Sequence, residues 1–414
     1  MRFDAEKIYT GAINVCLPDS AVRAALSDFD MPKGALILVA IGKAAFKMAK
    51  SASLAIEEKG GRIDRGVVLT KYGHSEGAIK NVEIYEAGHP IPDENGVKAT
   101  ERILELTSRL SSDDLVLFLI SGGGSALFES PKCSLDELRK ITGELLKSGA
   151  DITEINSIRK HLSRVKGGRF AEQVAPARVF AIALSDVLGS SLDVIASGPC
   201  APDTSTVDDV NKTLDKYGIK PSAKIMEHLS EETPKAVTNA CHTVSGSVTE
   251  LCYAARDIAE SLGYKTEIIT DSECGIAAGV GARLAKIARE KCDTDRDLCY
   301  IIGGESVVLV RGDGLGGRNQ EIALSAALGI EGLDNVLIFS VGSDGTDGPT
   351  DAAGGCVDGK SAENMRKAGM SPEKMLENND SYHALDSIGA LVKTGPTGTN
   401  VNDVSVLLIR SESL

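Results

Sequence analysis

The stretch DLVLFLISGGGSAL, residues 114–127, predicts a buried strand that ends in a glycine turn. Its apolar run has the length of a strand, and the three consecutive glycines leave backbone N–H groups exposed. A helix is expected after the turn, where its N-terminus would favour an anion such as phosphate. Similar apolar runs alternate with amphipathic helices along the chain, which predicts an α/β fold with a largely parallel sheet.

The length of the chain, 414 residues, predicts two domains, because a single hydrophobic core rarely grows that large. A turn-rich texture over residues 200–235 indicates the boundary, and a second α/β series follows it. We therefore expect one domain over residues 1–235 and a second over residues 236–414.

The composition argues against several classes of function. The formal net charge of −14 argues against nucleic acid or an anionic membrane as partner, although a local cluster of bases could still bind an anionic small molecule. The longest apolar runs are far shorter than the roughly 20 residues that a membrane helix needs. Nine cysteines without a C-x-x-C pair and an acidic N-terminal segment predict a soluble, cytoplasmic protein with reduced thiols.

Four predicted strand ends combine glycine with polar groups, and in open parallel sheets ligands bind at such ends. They are IGK (41–43), SGGGS (121–125), SDVLGSS (185–191) and GSDGTDG (342–348). Four such ends on one chain favour a site for a polyanion. The candidate phosphate-binding residues are Ser121, Gly122, Gly123, Gly124 and Ser125, and the alternative is a plain strand-to-helix turn. The Walker A pattern does not occur in the chain.

Basic residues supply a second group of candidates. Lys43 follows a strand-end glycine at the start of a predicted helix, where the helix dipole disfavours a cation, so a functional role is favoured over a solvated one. Residues 155–169 form a predicted basic helix, read either as a solvated face or as a rim that attracts nucleotide phosphates. Within it, His161 is either a general base or a structural residue.

Carboxylates at strand ends are candidate magnesium ligands, because phosphoryl transfer needs only one or two of them beside phosphate oxygens and water. Asp186, Glu305 and Asp344 lie in such positions. Asp344 is nearest its strand, whereas Asp347 and Asp351 are interpreted as residues that shape the turn.

The segment GDGLGG, residues 312–317, matches the dinucleotide pattern G-x-G-x-x-G and offers an alternative to phosphoryl transfer. Its preceding strand resembles one arm of a hairpin, which weakens that interpretation. Arg318 and Asn319 follow directly, and the arginine provides a guanidinium fork for a carboxylate or phosphate. The loop over residues 395–404 is interpreted equally as a surface turn or as part of the site.

An ordered set of motifs resembles the class II glycerate kinases, the glycerate 2-kinase family with a MOFRL-type C-terminal domain. The set is AIGKAA, AGHPIPDENG, LISGGGSAL, INSIRKHLSRVKGGR, SDVLGSSLDVIASGP, IGGES, GGRNQE, GSDGTDGPTDAAG and GPTGTNVND. The resemblance implies ATP-dependent phosphorylation of D-glycerate with Mg²⁺ or another divalent cation, giving 2-phosphoglycerate. It also implies a larger Rossmann-like N-terminal domain, a smaller α/β C-terminal domain and a site in the cleft between them. The family's active-site lysine and arginine map onto Lys43 and Arg318.

On this hypothesis the SGGGS loop holds nucleotide phosphates, while Lys43 and Arg318 neutralise the transferred phosphoryl group or anchor the glycerate carboxylate. Asp186 and Asp344 bind the metal, and Glu305 and Asn319 help to orient substrate or metal. The alternatives are an NAD(P)H-dependent hydroxypyruvate reductase and a sensor that binds without turnover. The sequence leaves monomer and homodimer equally open.

Overall fold

The computed structural model describes residues 1–184 and 193–411, and the chain forms two compact units. One unit spans residues 21–245, and the other joins residues 1–20 to residues 246–414. The chain begins with helices α1 (Arg2–Val15) and α2 (Pro18–Ala25). The helical segment breaks before Pro18, which cannot donate a backbone hydrogen bond.

The unit over residues 21–245 is built on a parallel sheet with strand order β3-β2-β1-β4-β5-β6. Its strands are β1 (Leu36–Ile41), β2 (Arg65–Lys71), β3 (Val82–Ala87), β4 (Leu115–Ile120), β5 (Arg178–Ala183) and β6 (Ala240–Val244). The strand order reverses between β1 and β4, which are buried along their whole length and end side by side at Ile41 and Ile120. Ligands bind at such a reversal in doubly wound folds.

Helices cover both faces of this sheet. They are α3 (Ala45–Glu58), α4 (Glu94–Thr107), α5 (Gly124–Leu127), α6 (Leu135–Lys147), α7 (Ile152–His161), α8 (Arg169–Val174), α9 (Val207–Tyr217) and α10 (Ala223–Leu229). Phe46 and Met48 of α3 pack on one face, and Ile103 of α4 and Phe170 of α8 pack on the other. Helices α6, α7, α9 and α10 form a separate apolar cluster.

The other unit contains a mixed sheet with strand order β11-β10-β9-β12-β8-β7, in which only β7 and β8 run parallel. Its helices are α11 (Val248–Ser261), α12 (Ala277–Lys291), α13 (Arg318–Gly329), α14 (Ser361–Lys367), α15 (Pro372–Glu377) and α16 (Ser381–Asp386). Its strands are β7 (Lys265–Glu273), β8 (Leu298–Gly304), β9 (Val336–Gly342), β10 (Gly354–Asp358), β11 (Leu391–Val392) and β12 (Asp403–Ile409).

The two-domain α/β class expected from the sequence is confirmed, but the second sheet is mixed rather than largely parallel. The compact units also differ from the division expected at residue 235. Strand β6, which lies beyond residue 235, completes the first sheet by pairing with β5. Helix α1, from the start of the chain, packs on α11 instead. The two helices are so close that a Cβ on Gly11 would lie 2.6 Å from Ile258 Cδ1. No hairpin arm follows β8 in the described chain, where Val307 makes only an isolated bridge to Ile276.

None of the helices in residues 1–184 and 193–411 has the length and apolar character needed to cross a membrane. All nine cysteines are free thiols, and five of them are buried.

Candidate active site

Lys43 lies at the end of β1, beside the glycine loop that ends β4. Its backbone N–H donates to the carbonyl of Gly122 at 2.9 Å, and the Thr70 hydroxyl donates to the carbonyl of Gly42 at 3.0 Å. Gly42 has φ +111°, and any Cβ there would collide with Ser121, so the close approach of the two loops requires glycine. The first residue of the helix that follows Lys43 is Ala45.

The glycine loop is fixed by its two serines. The hydroxyl of Ser121 accepts from the N–H of Ala44 at 3.0 Å, which ties the loop to the Lys43 turn. At the other end, the hydroxyls of Ser125 and Ser197 lie 3.0 Å apart. The predicted helix after the loop is a single turn, α5, so the loop backbone matters more than a helix dipole.

Gly123, the middle glycine, has φ +88° and faces two side chains. A Cβ built there would lie 3.0 Å from His89 Cδ2 and 3.3 Å from Lys43 Cγ, so only glycine leaves room for both. The motif AGHPIPDENG was quoted for the family resemblance, but sequence reasoning gave His89 no role. Nothing local in the sequence places a residue after β3 against the loop after β4.

The basic segment 155–169 is not one helix, because α7 ends at His161 and α8 begins at Arg169. The segment is largely buried, which corrects both the solvated face and the phosphate-attracting rim. Lys160 is buried and its ammonium lies 3.0 Å from the Asp203 carboxylate. Lys166 is wholly buried and pairs with Glu129 at 2.9 Å. Arg159 donates to the carbonyl of Ser125 at 2.7 Å, so its guanidinium supports the glycine loop.

His161 is wholly buried on α7, with Nδ1 2.7 Å from the carbonyl of Ser157. Burial lowers its pKa, and the side chain has no exposed surface from which to meet a substrate. The structural interpretation therefore replaces the general-base one for this residue.

Glu129→Gln is expected to destabilise the protein by about 3 kcal/mol, because it leaves the Lys166 ammonium buried without its counter-charge. Full burial already lowers the pKa of Lys166 to about 8. Chemical denaturation monitored by circular dichroism measures the loss. The control is Asp208→Asn in the exposed pair with Lys212, which should cost at most about 0.5 kcal/mol. Equal losses in the two variants would contradict the buried-pair interpretation.

Arg318 begins α13 and is held by two carboxylates. Its Nε donates to Asp403 Oδ2 at 2.6 Å, its Nη2 to Asp403 Oδ1 at 3.2 Å and its Nη1 to Glu305 Oε1 at 2.8 Å. These bonds use three of the five N–H donors of the guanidinium. The side chain is 31% exposed, so a ligand can reach part of it.

Asp403, which sequence reasoning missed, orients this arginine. It begins β12, where its register places it opposite Gly304 of β8 and Gly342 of β9. Burial raises the pKa of Asp403 to about 6, although the bidentate contact with Arg318 opposes that shift. The available signal was the mostly apolar run that follows Asp403, VSVLLI, which is typical of a central strand.

Asp344 lies at the end of β9, half-buried, in the same group of carboxylates. A Cβ on Gly342 would lie 3.4 Å from Asp344 Oδ1 and equally far from Asp403 Oδ1. The three carboxylates of Asp344, Asp403 and Glu305 face one positive charge, that of Arg318. The group therefore has two negative charges in excess, which suits a divalent cation. Within residues 1–184 and 193–411, no three His, Cys, Asp or Glu side chains gather as a metal site, so a cation here would need ligand oxygens from a nucleotide.

Asp347 and Asn319 lie inside the fold. The carboxylate of Asp347 accepts from the N–H groups of Asn319 at 3.1 Å and Gln320 at 2.8 Å, which caps the start of α13. The Asn319 amide contacts Asp347 and accepts from the Ser340 hydroxyl at 2.6 Å. These contacts fix the position from which Arg318 projects. The loop over residues 395–404 packs on the same strand end, where Thr397 donates to the carbonyl of Ser343 at 2.6 Å.

The GDGLGG segment binds its own chain. The N–H groups of Arg311 and Gly312 donate to Asn379 Oδ1 at 2.7 and 3.0 Å, and that of Gly314 donates to the Asn378 carbonyl at 3.0 Å. Cβ atoms on Gly312 or Gly314 would collide with Asn378, so these glycines serve close packing. These N–H groups are therefore not available to a pyrophosphate.

The remaining predicted site residue, Asp186, lies outside the described residues. Of the others, the structure groups Lys43 with Ser121–Ser125 in one unit, and Glu305, Arg318, Asn319 and Asp344 in the other.

Two family models match the chain: "Domain of unknown function (DUF4147)" over residues 4–230 and "MOFRL family" over residues 298–403. The D-glycerate 2-kinase of Thermotoga maritima is 53% identical over 98% of this chain and 97% of its own length. The chain belongs to the class II glycerate kinase family.

Other relatives extend this relationship. The crystal structure of a glycerate kinase from Thermotoga maritima superposes with a TM-score of 0.93 at 52% identity, covering 98% of both chains. A glycerate 2-kinase of Pyrococcus horikoshii is 39% identical over 98% of this chain and 94% of its own length. An Agrobacterium vitis protein, 39% identical over 97% of this chain and 93% of its own, is provisionally named a hydroxypyruvate reductase.

Proposed function

We propose that the protein transfers the γ-phosphoryl group of ATP to D-glycerate, giving 2-phosphoglycerate and ADP. The observation that carries this proposal is the full-length similarity, at 53% identity, to a D-glycerate 2-kinase. Two local features support it: Lys43 follows β1 beside the glycine loop, and Arg318 begins α13 directly after the GDGLGG segment. Nine free cysteines support a reduced, cytoplasmic setting for the enzyme.

In this proposal Arg318 binds an oxygen of the transferred phosphoryl group or of the glycerate carboxylate. Its orientation is fixed by Asp403 and Glu305, so little ordering is needed when the ligand arrives. Lys43 adds a second positive charge, and its backbone is held by Gly122 and the hydrogen-bonded Gly42 turn. The backbone of residues 121–125 binds nucleotide phosphates.

Asp344 would hold Mg²⁺ through carboxylate oxygens, and the nucleotide would complete the coordination shell. When bound, the cation would neutralise part of the negative charge of the phosphates. Asp344 suits this role because its carboxylate is half-exposed and belongs to a group with excess negative charge.

The test is ADP release by the purified protein with ATP, Mg²⁺ and D-glycerate. We expect turnover that requires D-glycerate and is lost when EDTA removes the cation. ADP release at the same rate without D-glycerate would reject the proposed acceptor.

Hydroxypyruvate reduction is the second candidate, favoured by the name of the Agrobacterium vitis relative. It requires a nicotinamide site, and within GDGLGG the N–H groups of Gly312 and Gly314 donate to residues 379 and 378 instead. Oxidation of NADH or NADPH by hydroxypyruvate without ATP, followed by absorbance at 340 nm as the usual nicotinamide band, would favour the reductase. We expect no such oxidation.

A further inference from the structure

His89 is a half-buried histidine that the roles described above leave unused. Its ring edge faces the glycine loop, with Cδ2 3.0 Å and Nε2 3.1 Å from the position of a Cβ on Gly123. Lys43 Cγ lies 3.3 Å from the same position. The imidazole and the lysine therefore approach the same glycine, the middle residue of the loop that we propose for phosphate binding.

The surroundings favour the neutral form of this ring. Burial, the positive charges of Lys43 and Lys71, and the neighbouring His74 ring all lower the pKa of His89 below its ordinary value. The nearby carboxylate of Asp93 is engaged elsewhere, since it accepts from the N–H of Gly88 at 2.9 Å, from Gly96 and from the Tyr72 hydroxyl. A neutral imidazole has a nitrogen lone pair free to accept a proton.

We propose that His89 is a further catalytic residue, which takes the proton of the glycerate hydroxyl during phosphoryl transfer. This inference rests on the proposed kinase function. The hydroxyl oxygen forms a bond to the γ-phosphorus while its proton moves to the imidazole. The bond from the γ-phosphorus to the β–γ bridging oxygen breaks, and its electron pair leaves on ADP. The imidazolium then releases its proton to water.

The position of His89 is fixed by the fold rather than by the ligand. The N–H of the preceding residue, Gly88, bonds the carboxylate of Asp93, which also caps α4 through Gly96. The turn after β3 is thereby attached to the start of a helix. A base held in this way meets the geometric requirement for proton transfer, which is hydrogen-bond reach in the bound complex.

His89→Gln tests the inference, because glutamine retains polarity but cannot accept the proton. We expect kcat to fall about 10²-fold or more, with KM for ATP and D-glycerate changed by less than about 3-fold. The matched control is His242→Gln, an exposed histidine on β6, which should keep wild-type kcat. Wild-type kcat in His89→Gln, or a change confined to KM, would overturn the inference.

A second variant keeps the inference testable even if His89→Gln does not fold. In His89→Ala, added imidazole is expected to raise kcat several-fold, in proportion to its neutral fraction, as a general base would. Retention of kcat in this variant, or loss that imidazole does not restore, would overturn the role. If the wild-type protein forms no phosphoglycerate, the proposed kinase function itself fails. If the wild-type protein forms phosphoglycerate and the His89 variants keep its kcat, only the His89 assignment fails.

Discussion

Arg318→Ala is expected to lower kcat by about 10³-fold or more, the effect typical of an arginine that stabilises a transferring phosphoryl group. The guanidinium is oriented by Asp403 and Glu305 and is 31% exposed, so its remaining donors are positioned in advance. Its removal deletes those donors at the moment when charge develops on the phosphoryl oxygens. Steady-state rates of ADP formation with saturating substrates measure the loss.

Two variants distinguish the role of the guanidinium geometry of Arg318 from the role of its positive charge alone. Arg318→Lys keeps the charge but loses the bidentate contact with Asp403, so we expect it to recover little of the activity. Arg311→Ala removes an exposed arginine from the segment that precedes α13 and should keep wild-type turnover. Activity within about 3-fold of wild type in Arg318→Ala would remove the arginine from the mechanism.

Lys43→Ala is expected to produce the second largest loss, about 10²- to 10³-fold in kcat, because it deletes a preorganised cation beside the glycine loop. The side chain is only half-buried, and its backbone contacts to Gly122 do not require the ammonium. The melting temperature should therefore stay near that of the wild type. Turnover and thermal unfolding, measured on the same preparation, distinguish lost chemistry from lost structure.

The control for Lys43 is Lys47→Ala on the same helix, α3. Lys47 is exposed to solvent. We expect its loss to leave kcat unchanged. Equal effects of the two substitutions would show that the positive charge of the helix, rather than Lys43 itself, determines the rate.

The first sheet could be predicted in some detail from the sequence. LILVAI and LVLFLI are continuous apolar runs. The first is followed by Gly42 and the second by Ser121 and three glycines, so both strands and the loops after them are local properties of the chain. The candidate cation Lys43 followed from the same local pattern. What local reasoning could not provide is the strand order that brings the ends of β1 and β4 side by side.

The second sheet shows where such reasoning fails. The run DVSVLLI predicts a strand but not its insertion, antiparallel, between β8 and β9, and this insertion brings Asp403 to Arg318. The interpretation of the basic segment 155–169 as an exposed helix was wrong for a related reason. Lys160 and Lys166 have the composition of a solvated face, but their partners Asp203 and Glu129 lie far away in sequence. Long-range ion pairs leave no periodic signal.

Identification of the product by ³¹P and ¹H NMR tests the central claim most directly. The wild-type protein, incubated with ATP, Mg²⁺ and D-glycerate, should form ADP and a phosphate ester whose phosphorus couples to the single proton on C2 of glycerate. That pattern identifies 2-phosphoglycerate. Coupling to the two C3 protons would contradict the proposed position of transfer, and the absence of any phosphoglycerate would contradict the kinase function itself.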